Sequence, residues 1–417
     1  MEIGQELVVE APRGGLLRTN PLFRRIWGAQ TVSAFGDAIT SIALPTAAVL
    51  TLKAGPFAVG ALSALGWAAW PLIGLPVGVW VDRLPRKPLL VTADVIRLVL
   101  VASLPVAWAA GRLSLAQLMV VATLAGACSV VFDLTFTVTV PDVVEPASLA
   151  DANGKLELSG SASRLTGPGL AGLLIGAIGA PVALVADAVS FAASAFLVST
   201  GPALHARHEP RERRPFLREV GEGIVALREH WQVFRATFAA AISNFAFTIG
   251  QGVFYVFAYR TVHLTPALVG AAITIASVVN LAGASASPWL TARLGTGPSL
   301  LVSTTFEASA VLLMPLGLVF GAPMLWIAAA LGVRSFFGPW WNVAAATMRQ
   351  VLVPSELQGR VTAAARTIGM GVTPIGGLVG GAIAALSSPT VALVVAGVLG
   401  ICSALPMLSR RVLAIRI

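Results

Sequence analysis

Gly78-Val-Trp-Val-Asp82-Arg83-Leu-Pro85-Arg86-Lys87-Pro88-Leu-Leu-Val-Thr92 is a short charged loop set between two apolar runs. It recurs 210 residues later as Pro288-Trp-Leu-Thr-Ala-Arg293-Leu-Gly-Thr-Gly-Pro298-Ser-Leu-Leu-Val-Ser303, with Arg83 opposite Arg293 and Pro88 opposite Pro298. Two more matches fall at an offset of 208: GLAGLLIGAIGA from Gly169 against GLVGGAIAALSS from Gly377, and VVEP ending at Pro146 against VLVP ending at Pro354. Three matches at nearly one offset predict two repeated halves, 1–200 and 232–417, joined by a segment at 201–231.

Outward from that loop the chain is apolar almost throughout. Of its 417 residues 56% are hydrophobic and 11% charged, with a mean hydropathy of +0.84. A soluble domain carries about 25% charged residues, so a water-soluble fold is excluded. Apolar runs near 26–51, 57–81, 88–110, 115–140, 156–179, 181–200, 232–258, 266–291, 298–320, 323–348, 361–386 and 389–408 are each long enough to cross a bilayer. The pairs 156–200 and 361–408 are broken by little more than Ala180-Pro181 and Ser388-Pro389, and their joint length makes each a hairpin. The predicted fold is all-α: a polytopic membrane protein of about twelve transmembrane helices in two pseudo-repeated six-helix bundles.

The net charge of +9 is distributed by side rather than gathered in a patch. With the amino terminus inside, the outer segments hold only Lys53, Arg112 and Arg260, while Arg24, Arg25, Arg83, Arg86, Lys87, Arg293, Arg360, Arg410 and Arg411 fall inside. The positive-inside rule therefore places both termini in the cytoplasm of a bacterium, with the chain in the inner (cell) membrane. No cleavable leader is read, and the run from Ile26 serves as the insertion signal. Basic loops of this kind meet anionic lipid, not nucleic acid. Segment 216–230 repeats Phe216, Val220, Ile224 and Leu227 at helical spacing and predicts an amphipathic helix on the inner leaflet. Cys128 and Cys402 lie singly in apolar runs and read as packing residues.

The loop Gly78–Lys87 is similar to the GxxxDRxGRK motif of the major facilitator superfamily, with Pro85 where a second glycine is usual. The opening NPLFRRIWGAQTVSAFGDAITSIALP from Asn20, the stretch TADVIR from Thr92, and the pair PDVVEP and VLVPSELQGRV resemble its macrolide-efflux and siderophore-exporter branch over nearly the whole chain. Gly167-Pro168-Gly169-Leu-Ala171-Gly172 is close to the GPxxGG element of that superfamily's antiporters, with Ala171 in place of one glycine. The resemblance implies a secondary transporter with a substrate site between two rocking halves. It also implies that Gly78, Asp82, Arg83, Arg86 and Lys87 belong to a charge network that latches the cytoplasmic gate. In the superfamily spans one, four, seven and ten line the cavity. Here they offer Gln30, Asp37, Asp133, Asn244, Gln251, Arg334, Trp340, Trp341 and Asn342.

A charge at mid-membrane costs a few kcal/mol, so buried charges mark a partner, an ion path or a substrate path. Nine lie in the spans: Asp37, Asp94, Arg97, Asp133, Arg164, Asp187, Glu307, Arg334 and Arg366. Asp37, mid-span beside Gly36, and Asp133 are the candidates for reversible protonation, with permanent pairing as the competing role of Asp37 and the inner gate network as that of Asp133. Asp94 and Arg97, three apart on one helix face, form a local pair assigned to gating. Glu307 and Arg334 lie at depths that allow a pair, and Glu307 joins the cavity candidates. Arg164 and Arg366 are placed to snorkel to lipid phosphates.

The function read from these features is proton-coupled export of an amphipathic organic compound, such as a drug, antibiotic or siderophore-like molecule. Proton-coupled uptake, lysolipid flipping and a membrane sensor are the alternatives. The expected partners are protons, the organic substrate and membrane lipids, for a monomer with no cofactor and no metal. An enzyme is not expected: His205, His208, His230 and His263 fall in or beside loops, and neither an HExxH motif nor a GxxxxGK[ST] loop is present. The topology is checked by reporter fusions at both termini, which should read cytoplasmic. A periplasmic reading at either end contradicts it.

Overall fold

In the computed structural model, which describes residues 15–202 and 216–415, each long apolar run is a helix whose start is written in the sequence. Asn20 caps the first span by accepting from the Phe23 amide (2.9 Å), and Pro21 follows where an amide would have no partner. Ser114, Thr265 and Ser388 cap later spans in the same way.

The first six passes are α1 (Pro21–Thr46), α2 (Pro56–Arg83), α3 (Arg86–Ala109), α4 (Leu115–Val143), α5 (Leu149–Ile178) and α6 (Ala180–Ser199). An amphipathic helix, α7 (Phe216–Glu229), precedes α8 (Trp231–Val256), α9 (Pro266–Leu294) and α10 (Thr296–Ser309). After a 3-10 turn α10 continues as α11 (Leu313–Phe320), followed by α12 (Pro323–Leu352), α13 (Ser355–Gly371), α14 (Thr373–Leu386) and α15 (Pro389–Cys402). With α10–α11 and α13–α14 counted as single passes, the chain crosses twelve times, and no strand occurs among the described residues. The hairpin read at Ala180-Pro181 turns on Gly179, whose φ of 82° favours glycine. The basic stretch with Arg207, Arg211, Arg213 and Arg214, and the histidines His205 and His208, lie outside the described residues.

Ten passes are long and apolar enough to span a membrane by composition, and α5 and α12 are the two that are not. Both are 30 residues long, so length does not separate them from the rest. They carry Asp151, Lys155, Glu157 and Arg164, and Arg334 and Arg349, respectively. The sequence places the start of the fifth span at 156, whereas α5 begins at Leu149. Its first two turns are polar, and an apolar run alone does not reveal them.

The repeat extends to irregular backbone. A π-turn closes the first span at Ala47–Thr51 and the seventh at Phe257–Thr261, again 210 residues apart. Just beyond, Lys53 (φ 51°) and His263 (φ 55°) take the left-handed conformation at equivalent positions. Such residues cost of order 1–3 kcal/mol, so their duplication reflects one template used twice. The outer surface is apolar, with Leu72, Val106, Phe196 and Val319 exposed as lipid-facing residues.

Three apolar clusters show how the two sets of helices meet. One is shared, drawing Ile42, Leu104 and Ile175 together with Val253, Phe257 and Val269. The other two are separate: Phe23, Leu90 and Phe132 in the first set, and Leu300, Met348 and Val361 in the second. Leu16 belongs to one separate cluster and Val412 to the other, so the helices part at the end that carries both termini and join at the far end.

Two glycine crossings make the junction. A Cβ on Gly60 (α2) would lie 2.7 Å from the Gly381 Cα of α14, and one on Gly270 (α9) would lie 3.0 Å from the Gly172 Cα of α5. Small residues let backbones approach at such contacts. Replacing Gly60 or Gly270 by Val should force the far end apart. With Cys128 and Cys402 replaced and a cysteine placed at Ser41, an impermeant thiol reagent should then label several-fold faster. An unchanged rate contradicts a junction held by these crossings.

Candidate functional site

Arg97 on α3 is the largest fully buried side chain among the described residues, 1% exposed. Its guanidinium bonds to Asp94 one turn earlier, lies 3.8 Å from Asp37 of α1 and donates to Ser129 of α4 at 3.4 Å. Phe132 and Phe191 cover it, with ring centres 4.7 and 4.3 Å from the guanidinium carbon. A buried cation is tolerated when its charge is answered and its faces meet aromatic rings, and both conditions hold here. Asp94 is also buried, and its second oxygen accepts from Ser194 of α6 at 2.6 Å. Asp37 differs: its side chain is 49% exposed and faces a chamber.

Gly36 accounts for the approach of α6. A Cβ there would collide with Ser190 and Asp187, so only glycine admits them beside Asp37. Asp187 is buried and accepts from Thr40 and from Ser190 (2.9 Å). The chamber, about 410 Å³, is bounded by both sets of helices. Trp67 donates to Gln251 at 2.7 Å and Tyr255 to the Ser41 carbonyl at 3.3 Å. Toward the far end Thr46 and Tyr259 bond at 2.9 Å and Arg260 donates to the Val49 carbonyl at 2.8 Å, closing the chamber on that side.

The sequence groups Asp94 and Arg97 with the loop at 78–87, but the structure groups them with Asp37. Eleven residues of helix separate Arg97 from Arg86, about 16 Å. At the loop itself Arg86 pairs with Asp142 and donates to the Val138 carbonyl at 2.6 Å, and Lys87 donates to the Gly201 carbonyl at 2.5 Å. Those contacts tie the loop to the ends of α4 and α6. The side chains of Asp82 and Arg83, and Gly78, lie outside the described residues. Asp133 on α4 is partly buried, does not line the chamber and has no ion-pair partner among the described residues.

A second cavity of about 580 Å³ lies within the later helices and is lined by Asn244, Glu307, Arg334, Trp341 and Asn342. Glu307 and Arg334 form an ion pair at 3.2 Å, and Arg334 lies over the Phe247 ring at 3.7 Å. Asn244 donates to the Gly369 carbonyl at 2.9 Å. Trp340 does not reach the cavity; it is 3% exposed and donates to Thr291 at 3.1 Å, because its position on α12 points at α9. A third cavity, about 390 Å³, holds Gln30, Glu157 and Arg164. Arg164 pairs there with Glu157 rather than running to the lipid phosphates, and the Gln30 Oε1 has no hydrogen-bond partner. The second and third cavities are lined by the polar faces of α12 and α5, which accounts for the lack of a long apolar stretch in those two passes. In the antiporter-like stretch, Gly167 packs on Ala38, and Pro168 and Gly172 meet Gly270 at the crossing with α9.

Reading the sequence alone finds Asp187 as a charge but gives it no partner. Its ligands, Thr40 and Ser190, are common residues that carry no pattern, as are Ser194 and Trp67. Among the described residues no cluster of three or more His, Cys, Asp or Glu could hold a metal ion.

A family model described as Major Facilitator Superfamily matches residues 26–374. No curated protein matches the sequence. Solved structures match the fold at low identity. A variant of the nucleoside transporter NupG superposes with a TM-score of 0.74 at 13% identity, covering 93% of this chain and 98% of that one. A bacterial homologue of the iron transporter ferroportin, in an inward-facing state, gives 0.70 at 17% identity, covering 94% and 100%. A bacterial homologue of the lysosomal transporter Spinster, inward-facing and occupied, gives 0.68 at 14% identity, covering 94% and 97%.

Removing one partner of a buried ion pair leaves a charge unanswered and costs about 3–5 kcal/mol. Asp94→Asn should therefore lower the unfolding temperature of the purified protein strongly. Asp133→Asn, with no partner to lose, should change stability by about 0.5 kcal/mol or less. Equal effects of the two would contradict the assignment of Asp94 as the anchor of Arg97.

Proposed function

The chain belongs to the Major Facilitator Superfamily, a membrane transporter and not an enzyme, and we propose that it is a proton-driven antiporter exporting an amphipathic organic compound. The observation that carries this reading is the unequal hold of two carboxylates on one buried guanidinium. Arg97 is bonded to buried Asp94, while half-exposed Asp37 stands off at 3.8 Å and faces the chamber. A proton on Asp37 removes one negative charge and leaves Arg97 paired, so no buried charge is stranded. A proton on Asp94 would leave Arg97 only the more distant, half-exposed Asp37. Asp37 is therefore the member of the cluster that can change protonation, with Asp133 as a second candidate.

Coupling follows if protonation of Asp37 and binding of the substrate favour opposite conformations. In the conformation described, the helices part at the terminal end and are sealed at the far end by the glycine crossings and the Thr46–Tyr259 contact. The positive-inside rule makes the terminal end cytoplasmic, so substrate enters from the cytoplasm or the inner leaflet. Two six-helix bundles, 1–200 and 232–417, would then rock about the crossings, with the segment 201–231 as their linker. The resemblance of the opening segment and of Gly167–Gly172 to exporters favours outward over inward transport.

Everted vesicles energised by respiration and challenged with a panel of lipophilic antibiotics and dyes test the reading. At least one compound should release part of the proton gradient and accumulate in vesicles carrying the protein, and Asp37→Asn should abolish both. Full gradient-driven accumulation by Asp37→Asn would show that the coupling group lies elsewhere.

A further inference from the structure

The cavity among α8, α10, α12 and α13 contains three arginines and one carboxylate. Glu307 is committed to Arg334 at 3.2 Å, and that guanidinium is also fixed over the Phe247 ring. Arg349, in the last turn of α12, and Arg366, on α13, line the same cavity of about 580 Å³. They face one space from two consecutive helices. Neither has an ion-pair partner among the described residues. Like charges converging on one partly buried space repel unless an anion stands between them, and a planar guanidinium is shaped to take a carboxylate or phosphate on two bonds. Snorkelling to lipid, the use the sequence reading gives Arg366, does not account for its place, exposed, on the wall of an open cavity shared with Arg349. Around the two arginines the wall is Trp341, Met348 and Met370, a flat ring and two adaptable thioethers suited to a varied apolar body.

We infer that this cavity is an anion-recognition subsite, in which Arg349 and Arg366 hold the carboxylate or phosphate head of an amphipathic compound and Trp341, Met348 and Met370 take its apolar part. The chamber around Asp37 and Asp187 is unsuited to that head, since its free edge is acidic. The assignment names the substrate class for the proposed transport reading and rests on that reading for the fate of the bound anion. The binding itself requires no proton gradient.

Calorimetry on the full-length protein in phosphatidylcholine nanodiscs, with empty discs as reference, tests it with 1-naphthyl phosphate and neutral 1-naphthol. The phosphate should bind at least about tenfold more tightly, the loss expected when a charge-assisted bond is removed. Arg349→Gln and Arg366→Gln should each weaken it by about tenfold, and Arg349→Lys, which keeps the charge and loses the fork, by less. Because these positions lie on the cavity wall, unfolding temperatures of the variants should match the parent; the lysine variant gives a reading if a glutamine variant does not fold. Equal binding of phosphate and naphthol, or phosphate binding untouched by both substitutions, overturns the assignment. Repeating the titration in discs containing phosphatidylglycerol separates the sources of the anion. Competition assigns the site to lipid headgroups and its absence to soluble anions, and the subsite stands in either case. Phosphate binding together with failed proton release in vesicles would remove the coupling reading and leave this one.

Discussion

A guanidinium placed in the middle of a membrane protein must be answered by carboxylates, and Arg97 organises the first six helices around that requirement. α3 supplies it with Asp94, α1 with Asp37, α4 with Ser129 and Phe132, and α6 with Phe191 and, through Asp94, Ser194. The four helices cannot slide past one another without exposing a charge to hydrocarbon, which fixes their register more strictly than apolar packing would. Gly36 is part of the same constraint, because a larger residue would push Asp187 and Ser190 away from Asp37.

The repeat shows how one template has been put to two uses. At the offset of 210 residues, Asp37 corresponds to Phe247 and Arg97 to Glu307. Each set of helices thus buries a guanidinium–carboxylate pair, but the signs are exchanged and the second guanidinium comes from Arg334 on a different helix. The first set turns a carboxylate to its chamber, and the second gathers arginines around its cavity. On the proposed reading the first is the proton side and the second the substrate side. Motion of one against the other then changes the end of the molecule from which they are reached.

Much of this was legible from residues alone. The loop at 78–87 and its echo at 288–303 give the repeat, and apolar runs with Pro, Gly and Ser at their ends give the passes, because helix length and capping are local properties. The pairs Asp94–Arg97 and Glu307–Arg334 were also within reach, the first by helical spacing and the second by depth. Placement of a side chain around a helix axis was not. Trp340 and Trp341 are neighbours in sequence, yet one packs on α9 and the other lines a cavity. The association of Arg97 with Asp37 rather than with the loop depends on how α1 and α3 are rotated, and no pattern in either helix records that rotation. The early start of α5 escaped for a related reason, since a polar helix that lines a cavity resembles a loop in hydropathy.

The central claim is that the protonation of Asp37 sets the balance between an opening at the terminal end and one at the far end. It is tested most directly by electron–electron distance measurements on two spin-label pairs, Asn153 with Gly359 at the terminal end and Arg112 with Ser387 at the far end. Asp37→Asn, which removes the charge that faces Arg97, is predicted to shift the two distance distributions in opposite directions relative to the parent. Distributions unchanged at both ends would contradict a switch at Asp37.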